Sequence, residues 1–401
     1  MLYMYALSSL GKESSPTFHE VRPVRPEPDK LAVWAMDVNI HPRGDQQLPY
    51  LRVTHRIGYH KCNLNCPYCI AKWRDRKLTF DLDTFQKIIG RIEKLPYRVC
   101  LRIGVGGEIF TSPEILRVVT DICNRDSSIF GVSFSTNLHA SWEQSIGPFI
   151  ESANTAKLGI GCTLHDTVIK DVDLFFEKVA RLKQSGVMVY VGYVALPERI
   201  GFIREYERRC ERLGVPLVMN ALVGSLKGLE GADPKRTYPR DYTAEELGEL
   251  RELWDTPHSY KLLVEAARTR GMACSAGKNY IYVDRNGDVY PCSAMKKKLI
   301  REPFMGNILQ GPIRFRTDDT VCPIDVCWCG NENQALRIVD RYYNRTRTLR
   351  IFTPKEGIPE EKLYQGYNPS AFAFFSSRVR MDERYGRALS RVRRILLENV
   401  S

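Results

Sequence analysis

The sequence has no long hydrophobic run. A membrane-spanning helix needs about 20 consecutive apolar residues, and no stretch of the 401 residues approaches that length. The first ten residues are briefly apolar but lack a basic segment and a clear cleavage site, so they are not predicted to be a signal peptide. No segment repeats at the periods of solenoid proteins. We therefore expect a cytoplasmic protein with no membrane partner and no repeat architecture.

Cysteine is not scarce, but its distribution is uneven. Three of the twelve cysteines fall between residues 62 and 69, and five fall between 274 and 329. Disulfides are rare in a reducing compartment, so clustered cysteines there indicate metal binding or catalysis. The isolated Cys100, Cys123 and Cys210 are typical of small buried hydrophobic residues.

Short β-rich runs alternate with amphipathic helices from about residue 51. Six such repeats predict parallel strands covered by helices. Right-handed crossovers then curve the sheet into a full or partial barrel. The predicted strands are Leu51–Ile57, Val99–Val105, Gly131–Thr136, Lys157–Thr163, Val187–Ala195 and Val215–Leu222.

The length of the chain predicts more than one domain. We predict an α/β protein in which a partial (βα)6 TIM-like barrel is followed by a small cysteine-rich α+β domain with a β-hairpin and a helical C-terminal tail. A capping box at Thr243–Glu246 begins the linking helices, and Asn286-Gly287 predicts the hairpin turn. The predicted segments are 1–50 (irregular N-terminal lead-in), 51–242 (core barrel), 243–270 (linking helices), 271–335 (cysteine-rich domain) and 336–401 (basic, partly helical C-terminal extension).

Three thiols lie close together directly after the first predicted strand, at Cys62, Cys66 and Cys69. Loops that follow barrel strands lie at the catalytic face. An iron–sulfur cluster is usually held by four thiolates, so three would leave one iron open to a substrate or cofactor. The alternative is a structural zinc knuckle that borrows a fourth ligand such as His60.

The spacing Cys-x3-Cys-x2-Cys, with Tyr68 before the last cysteine, resembles the signature of radical S-adenosylmethionine (SAM) enzymes. The resemblance implies that the three cysteines hold a catalytic 4Fe-4S cluster whose open iron binds SAM. In that family an electron from the cluster cleaves SAM to methionine and a 5′-deoxyadenosyl radical, which removes a hydrogen atom from the substrate. The resemblance also implies an electron donor such as flavodoxin or ferredoxin.

Three further segments resemble motifs of that family at the ends of predicted strands. Gly106-Gly107-Glu108 follows the second strand, where the family holds the amino group of SAM, and a carboxylate with small neighbours suits an ammonium. Ser135-Thr136-Asn137 ends the third strand, where the family has polar side chains near the ribose or carboxylate. Glu198 follows the fifth strand, where a Gly-x-Ile-x-Gly-x-x-Glu motif contacts adenine; here the second glycine is missing and the glutamate comes one position early. The resemblance covers about residues 51–222.

The second cysteine group comprises Cys274, Cys292, Cys322, Cys327 and Cys329. It is similar to the twitch or SPASM extension of radical SAM enzymes, which implies an auxiliary cluster. Two complete clusters need more thiolates than these five, so we expect a twitch-like domain with one auxiliary 4Fe-4S cluster. Cys274 and Cys292 fit the pattern best, and the last three depart from the usual spacing. A zinc ribbon is the structural alternative.

Three residues at or just after the end of the fourth predicted strand are candidates for chemistry. Cys162 either faces the barrel mouth, where it would donate a hydrogen atom to a product radical, or is a packed thiol. His165 and Asp166 are candidates for acid–base chemistry or for a structural role.

The net charge of +12 can attract phosphates, nucleic acid or anionic small molecules. Lys227, Lys235, Arg236 and Arg240, in a loop rich in Gly and Pro, are placed to meet an anionic substrate. The arginines between 378 and 394 predict either the solvated face of an amphipathic helix or a phosphate-binding surface. No RNA-binding motif accompanies them, which disfavours nucleic acid as a partner.

The sequence therefore favours a radical SAM oxidoreductase or transformase that acts on a small molecule or a peptide, with an auxiliary cluster assisting redox chemistry. One alternative is radical SAM modification of RNA. The other, of a different class, is a non-catalytic zinc or iron–sulfur scaffold protein.

Overall fold

The computed structural model describes residues 50–327 apart from 72–76, 227–228, 230, 255–259, 261, 279, 298–304 and 318–319. Four predictions lie outside these residues. They concern the N-terminal lead-in before residue 50, the basic extension 336–401, Lys227 and Cys329. None of the helices in the described part of the chain has the length and apolar character that crossing a bilayer requires.

Six parallel strands form the body of the protein in the order of the sequence. This arrangement confirms the predicted α/β fold with a partial barrel, and each predicted strand lies within two residues of the observed one at either end. The strands are β1 (Tyr50–Tyr59), β2 (Arg98–Gly106), β3 (Ile129–Thr136), β4 (Leu158–Leu164), β5 (Met188–Ala195) and β6 (Leu217–Ala221).

Helices connect these strands, and local signals in the sequence set where they begin. Asp81 caps α1 by accepting a hydrogen bond from the Thr84 backbone N–H at 2.8 Å. Ser112 and Asp171 cap α2 and α4 in the same way. The predicted capping box of Thr243 and Glu246 is confirmed at α6. The helices are α1 (Leu82–Ile92), α2 (Pro113–Asn124), α3 (Gly147–Ser152), α4 (Val172–Gln184), α5 (Ile203–Leu213), α6 (Ala244–Leu253) and α7 (Ser293–Lys297).

Alternate strand residues face the helices, and aromatic contacts identify that face. His55 of β1 packs on Phe85 of α1 with ring centroids 5.7 Å apart, and Tyr193 of β5 packs on Tyr206 of α5 at 5.2 Å. Parallel strands in sequential order with right-handed crossovers place all connecting helices on one side of the sheet. The other side, which we call the inner face, therefore carries the intervening residues.

The cysteine-rich region extends this sheet, which the sequence did not predict. The short strands are β7 (Ala273–Cys274), β8 (Tyr280–Val283), β9 (Asp288–Tyr290), β10 (Gly306–Asn307) and β11 (Thr320–Val321). The predicted hairpin is confirmed, because β8 and β9 pair antiparallel around Gly287, whose φ is +85°. However, β8 also pairs in parallel with β1, from Arg52–Tyr280 to His55–Val283. The result is a nine-stranded sheet in which β8 occupies the edge of β1 that a closed barrel would pair with its last strand.

Candidate functional site

The loop with the first three cysteines begins where β1 ends. Gly58 has φ +109°, and a Cβ at that position would lie 2.8 Å from the Thr79 hydroxyl. The returning chain is fixed there, because the Thr79 N–H donates to the Tyr59 carbonyl at 3.0 Å. A tight turn follows, in which the Cys69 N–H donates to the Cys66 carbonyl at 3.1 Å.

Gly106, Gly107 and Glu108 lie against this cysteine loop at the end of β2. The His60 N–H donates to the Gly106 carbonyl at 3.0 Å, and the Glu108 N–H donates to the Lys61 carbonyl at 2.9 Å. Gly107 has φ +154°, and a Cβ there would meet the His60 carbonyl and lie 2.7 Å from the Lys61 carbonyl oxygen. Glycine is therefore needed here for a close approach between two segments of the protein backbone.

Glu108 is buried and joins the end of β2 to the end of β3. Its carboxylate accepts hydrogen bonds from the Phe110 N–H at 3.1 Å, the Thr136 hydroxyl at 2.6 Å and the Asn137 N–H at 2.7 Å. Burial raises the pKa of Glu108, and these hydrogen bonds act in the opposite direction. The structure thus brings together the two motifs that the sequence placed at neighbouring strand ends.

The motif Ser135-Thr136-Asn137 is divided between two sets of contacts. The Asn137 side-chain N–H donates to Sγ of Cys62 at 3.7 Å and to the Asn63 side-chain oxygen at 2.8 Å. Ser135 points to the inner face, where its hydroxyl accepts a hydrogen bond from Arg102 at 2.7 Å. Asn137 therefore contacts the cysteine loop, whereas Ser135 belongs to the surface beneath it.

The thiols of Cys62, Cys66 and Cys69 are half-buried and close enough to influence one another's ionisation. Burial raises the pKa of Cys66 to about 12, and the neighbouring thiols Cys69 and Cys62 add to that effect. Burial likewise raises the pKa of Cys62. Within the described residues, no three His, Cys, Asp or Glu side chains form a group that could hold a metal ion. A cluster spreads its ligands over several irons, and three neighbouring thiols with an amide N–H directed at one of them fit such a group.

Tyr68, which is buried, and His165, which is half-buried, form a pair beside the cysteine loop. The Tyr68 hydroxyl lies 2.9 Å from Nδ1 of His165, and Tyr68 is 8% exposed. Burial lowers the pKa of His165 to about 4, so its imidazole is neutral at pH 7. Burial also raises the pKa of Tyr68. Because both side chains are neutral, their hydrogen bond joins the loop to the end of β4 without an ion pair.

Three other candidate residues lie away from the cysteine loop or face another side of the sheet. Cys162 is fully buried and shares a face of β4 with Ile160, which is also fully buried, while Gly161 contacts Tyr190 on the inner face. This orientation places the Cys162 thiol among the helices rather than in the barrel mouth, which argues against its predicted role as a hydrogen-atom donor. Asp166 accepts hydrogen bonds from the Tyr193 and Tyr206 hydroxyls, both at 2.9 Å. Glu198 is exposed in a 3-10 turn, Pro197–Phe202.

The second cysteine group is partly assembled in the described residues. Cys274 and Cys322 are hydrogen-bonded to each other, and Cys292 lies near enough to affect Cys274. The bond from Cys274 lowers the pKa of Cys322 and raises that of Cys274, because it stabilises Cys322 as the thiolate. Thr320 pairs with Cys274 where β11 meets β7, and Cys327 is buried nearby in the sequence. Four of the five predicted thiols are thus buried in one region of the chain.

The sequence matches no protein-family model, and no curated protein matches it. Solved structures do show similarity. One is anSMEcpe with bound AdoMet and Kp18Cys peptide, at 16% identity and a TM-score of 0.46, over 66% of this chain and 79% of that one. A second is SuiB of Streptococcus suis bound to S-adenosylmethionine, at 16% identity and a TM-score of 0.44, over 65% of this chain and 64% of SuiB. A third is BtrN in complex with AdoMet and 2-DOIA, at 14% identity and a TM-score of 0.35, over 66% of this chain and 80% of BtrN.

The inner face of the sheet carries charged residues that sequence reasoning missed. Arg52, Arg56, Arg98 and Arg102 lie at alternate positions of β1 and β2, and none of the six strands contains Asp or Glu. The signal was present in the sequence, since apolar strands seldom carry four cations and no anion. Two of the cations of the loop after β6, to which the sequence pointed instead, have acidic partners. Arg236 pairs with Glu246, and Arg240 pairs with Asp241.

Proposed function

We propose that this protein is a radical SAM enzyme in which Cys62, Cys66 and Cys69 hold a catalytic 4Fe-4S cluster. The observation that supports this most is the attachment of the three-thiol loop to the ends of β2 and β3. Gly106 and Glu108 bond to the loop backbone, and Asn137 bonds to Cys62. When bound, the cluster would supply the electron that cleaves SAM and so generates the radical that removes a hydrogen atom from the substrate.

The residues around the loop would hold and orient the cofactors. We assign SAM to the strand ends next to the thiols, where the proposed contact residues are Tyr68, Gly106, Gly107, Glu108, Thr136, Asn137 and, more remotely, Glu198. Ser135 faces Arg102 on the inner face and is not assigned to SAM. Glu108 would act largely as a positioning residue, because its carboxylate already accepts three hydrogen bonds from the protein. The low exposure of Tyr68 would help to exclude water from the side of the loop that it covers.

The second cysteine group would hold one auxiliary 4Fe-4S cluster. Cys274, Cys292 and Cys322 are its proposed ligands, with a fourth from Cys327 or Cys329. The support is the proximity of the first three thiols and the burial of all four that the structure describes.

The substrate would be a small molecule or a peptide, and reduction would come from a donor such as flavodoxin or ferredoxin. Among the similar solved structures, SuiB is bound to the precursor peptide SuiA and BtrN to 2-DOIA. Both substrate classes therefore remain within the proposal.

Iron counting tests the proposed function. The protein would be purified and reconstituted without oxygen, and iron, sulfide and 5′-deoxyadenosine formed from SAM with dithionite would be measured. A variant with Cys62, Cys66 and Cys69 changed to Ala is compared with a control in which Cys100, Cys123 and Cys210 are changed to Ala. We expect about eight irons in the wild type, about four in the first variant and eight in the control, with SAM cleavage lost only in the first.

Other results would be equally informative. About four irons in the wild type and none in the variant that lacks Cys62, Cys66 and Cys69 would support the catalytic cluster and exclude the auxiliary one. Zinc in place of iron, with no SAM cleavage, would contradict the proposal and favour a metal-binding scaffold.

A further inference from the structure

The inner face of the sheet is positively charged close to the cysteine loop. Arg56 and Arg102 are half-buried there, on adjacent strands. In the register of β1 and β2, Arg56 pairs with Gly104 and Thr54 pairs with Arg102, so the two arginines are diagonal neighbours. Diagonal side chains on adjacent strands lie within reach of each other when they are long. Two arginines are thus diagonal neighbours on strands that carry no acidic residue.

Arg56 extends along the inner face toward the strand ends. Its guanidinium lies over the Tyr59 ring at 5.6 Å from the centroid. A Cβ built on Gly106 would lie 2.9 Å from Nη2 of Arg56, and one built on Gly104 would lie 3.4 Å from its Cδ. Two glycines of β2 therefore make room for this side chain. No carboxylate of the described residues forms an ion pair with Arg56.

Arg102 is oriented by a hydroxyl on the next strand. Its Nη2 donates to Ser135 Oγ at 2.7 Å, which fixes one edge of the guanidinium. A hydroxyl that accepts from arginine can donate its own proton to an anion. Ser133, Thr163 and Tyr190 are also half-buried, as expected for a polar face that no helix of the described residues is shown to cover.

We propose that Arg56 and Arg102, with Ser135, bind an oxyanion group of the substrate, a phosphoryl or carboxylate group. This inference rests on the proposed function, and it narrows the substrate class to anionic molecules or peptides with an acidic group. Guanidinium groups recognise both oxyanions through paired N–H donors. An anion placed between the two arginines would be attracted by both cations, and more strongly on a half-buried face than in water.

The site would anchor the substrate beneath the reacting centre. Ser135 precedes Asn137 by two residues, which is about 7 Å along a strand. Asn137 contacts the cysteine loop, so an anion on Ser135 and Arg102 would lie deeper in the sheet than the thiols. The uncharged part of the substrate would then extend toward the strand ends, where hydrogen removal is proposed.

The test is a calorimetric titration of the reconstituted full-length protein with inorganic phosphate at low ionic strength, alongside a titration with SAM. Arg56→Gln and Arg102→Gln would each be compared with Arg98→Gln. The control lies on the same strand and face as Arg102, at its exposed opposite end. We expect each test variant to weaken phosphate binding about tenfold or more, and the control to bind phosphate like the wild type. SAM affinity should change by less than about twofold in all three.

Several results would overturn the inference. They are the absence of phosphate binding to the wild type, an equal loss in Arg98→Gln, and a loss of SAM affinity that matches the loss of phosphate. The last would mean that the anion bound here is the carboxylate of SAM. Arg56→Lys serves if Arg56→Gln does not fold. Arg56→Lys keeps the charge but loses the paired donors. Unchanged phosphate affinity in both Arg56→Lys and Arg102→Gln would also contradict the site.

The same titration on the variant with Cys62, Cys66 and Cys69 changed to Ala separates this inference from the proposed function. The arginine site does not need the cluster, so phosphate affinity should persist in that variant. Arginine-dependent phosphate binding in a protein that fails to cleave SAM would leave the anion site in place and remove only the radical chemistry. A protein that cleaves SAM but does not bind phosphate would keep the radical chemistry and remove the anion site.

Discussion

The side-chain amide of Asn137 donates a hydrogen bond to Sγ of Cys62 across 3.7 Å. Asn137 is itself held by its backbone N–H, which donates to Glu108 at 2.7 Å. The carboxylate of the Gly-Gly-Glu segment therefore reaches the first cysteine through one intervening residue. This connection explains how a residue whose carboxylate accepts three hydrogen bonds from the protein can also affect the cysteine loop.

Changing Asn137 to Ala should make the proposed catalytic cluster harder to reduce. Hydrogen bonds to the sulfurs are one of the determinants of cluster potential, and they stabilise the more negative, reduced state. We expect a lower midpoint potential in a redox titration followed by electron paramagnetic resonance, with iron content unchanged. Asn124→Ala, an exposed control whose amide donates to the Ser152 carbonyl, should leave the potential unaltered. Equal potentials in all three proteins would show that the contact has no effect on the cluster.

Gly107→Ala should separate the cysteine loop from the end of β2. The added Cβ would collide with the backbone of His60 and Lys61, and φ +154° is strained for alanine. We expect a loss of roughly 2 kcal/mol or more in the free energy of unfolding, measured by urea denaturation of the iron-free protein. Iron incorporation should fall as well.

Gly90→Ala is the matched control for that substitution. Gly90 lies inside α1 with no atom within 4 Å of the added Cβ. Alanine should therefore stabilise the helix by about 0.5–1 kcal/mol. Similar effects at both glycines would contradict the close approach described at Gly107.

Glu108→Gln should destabilise the protein, although the two side chains have the same shape. One carboxylate oxygen becomes an N–H group that faces the donors of Thr136, Asn137 or Phe110. Leaving buried donors unpaired costs roughly 2–4 kcal/mol in total. Urea denaturation would measure this, with exposed Glu151→Gln as a control expected within about 0.5 kcal/mol of the wild type. A neutral outcome at Glu108 would mean that its hydrogen bonds contribute little to stability.

His55 should make the stability of the fold depend on pH. Burial lowers the pKa of this fully buried side chain to about 4, and its Nδ1 lies 3.2 Å from the Val283 carbonyl. Above the unfolded-state pKa of about 6.5 both states are neutral. As the pH falls below that value, only the unfolded state takes up the proton, so stability is lost between pH 6.5 and 4. The expected loss between pH 7 and pH 5 is about 2 kcal/mol.

The check is the difference in unfolding free energy between the wild type and His55→Gln at several pH values. The comparison removes contributions from other groups, including His165. The difference should shrink or reverse by about 2 kcal/mol on going from pH 7 to pH 5. A difference that does not vary with pH would mean that His55 titrates normally in the folded state.

Local patterns predicted the parallel sheet because each βα unit carries its own signals. The face of α1 with Phe85, Ile88, Ile89 and Ile92 and the caps at Asp81 and Ser112 involve residues close in the chain. The pairing of β8 with β1 joins residues more than 200 positions apart, from Arg52–Tyr280 to His55–Val283. Such a pairing depends on tertiary packing, and no pattern within either strand specifies its partner.

The candidate site was predicted in its parts but not in its contacts. Cysteine spacing and strand order were enough to place the thiols next to Gly106-Gly107-Glu108 and Asn137. The hydrogen bonds of Glu108 could be identified only from the structure. The orientation of Cys162 also required the structure, because a strand of mostly buried residues does not reveal which face is covered by helices. Arg56 and Arg102 were not predicted, because they belong to no motif and stand out only when the charges of the strands are compared.

The parallel pairing of β8 with β1 has a consequence for how the chain can be divided. A fragment that ended after β6 would contain every predicted contact residue of the catalytic cluster, yet it would leave the backbone donors and acceptors of β1 along Arg52–His55 without their sheet partner. An uncovered edge of this kind recruits strands from other molecules. We therefore expect a fragment without the hairpin of β8 and β9 to self-associate through this edge of β1.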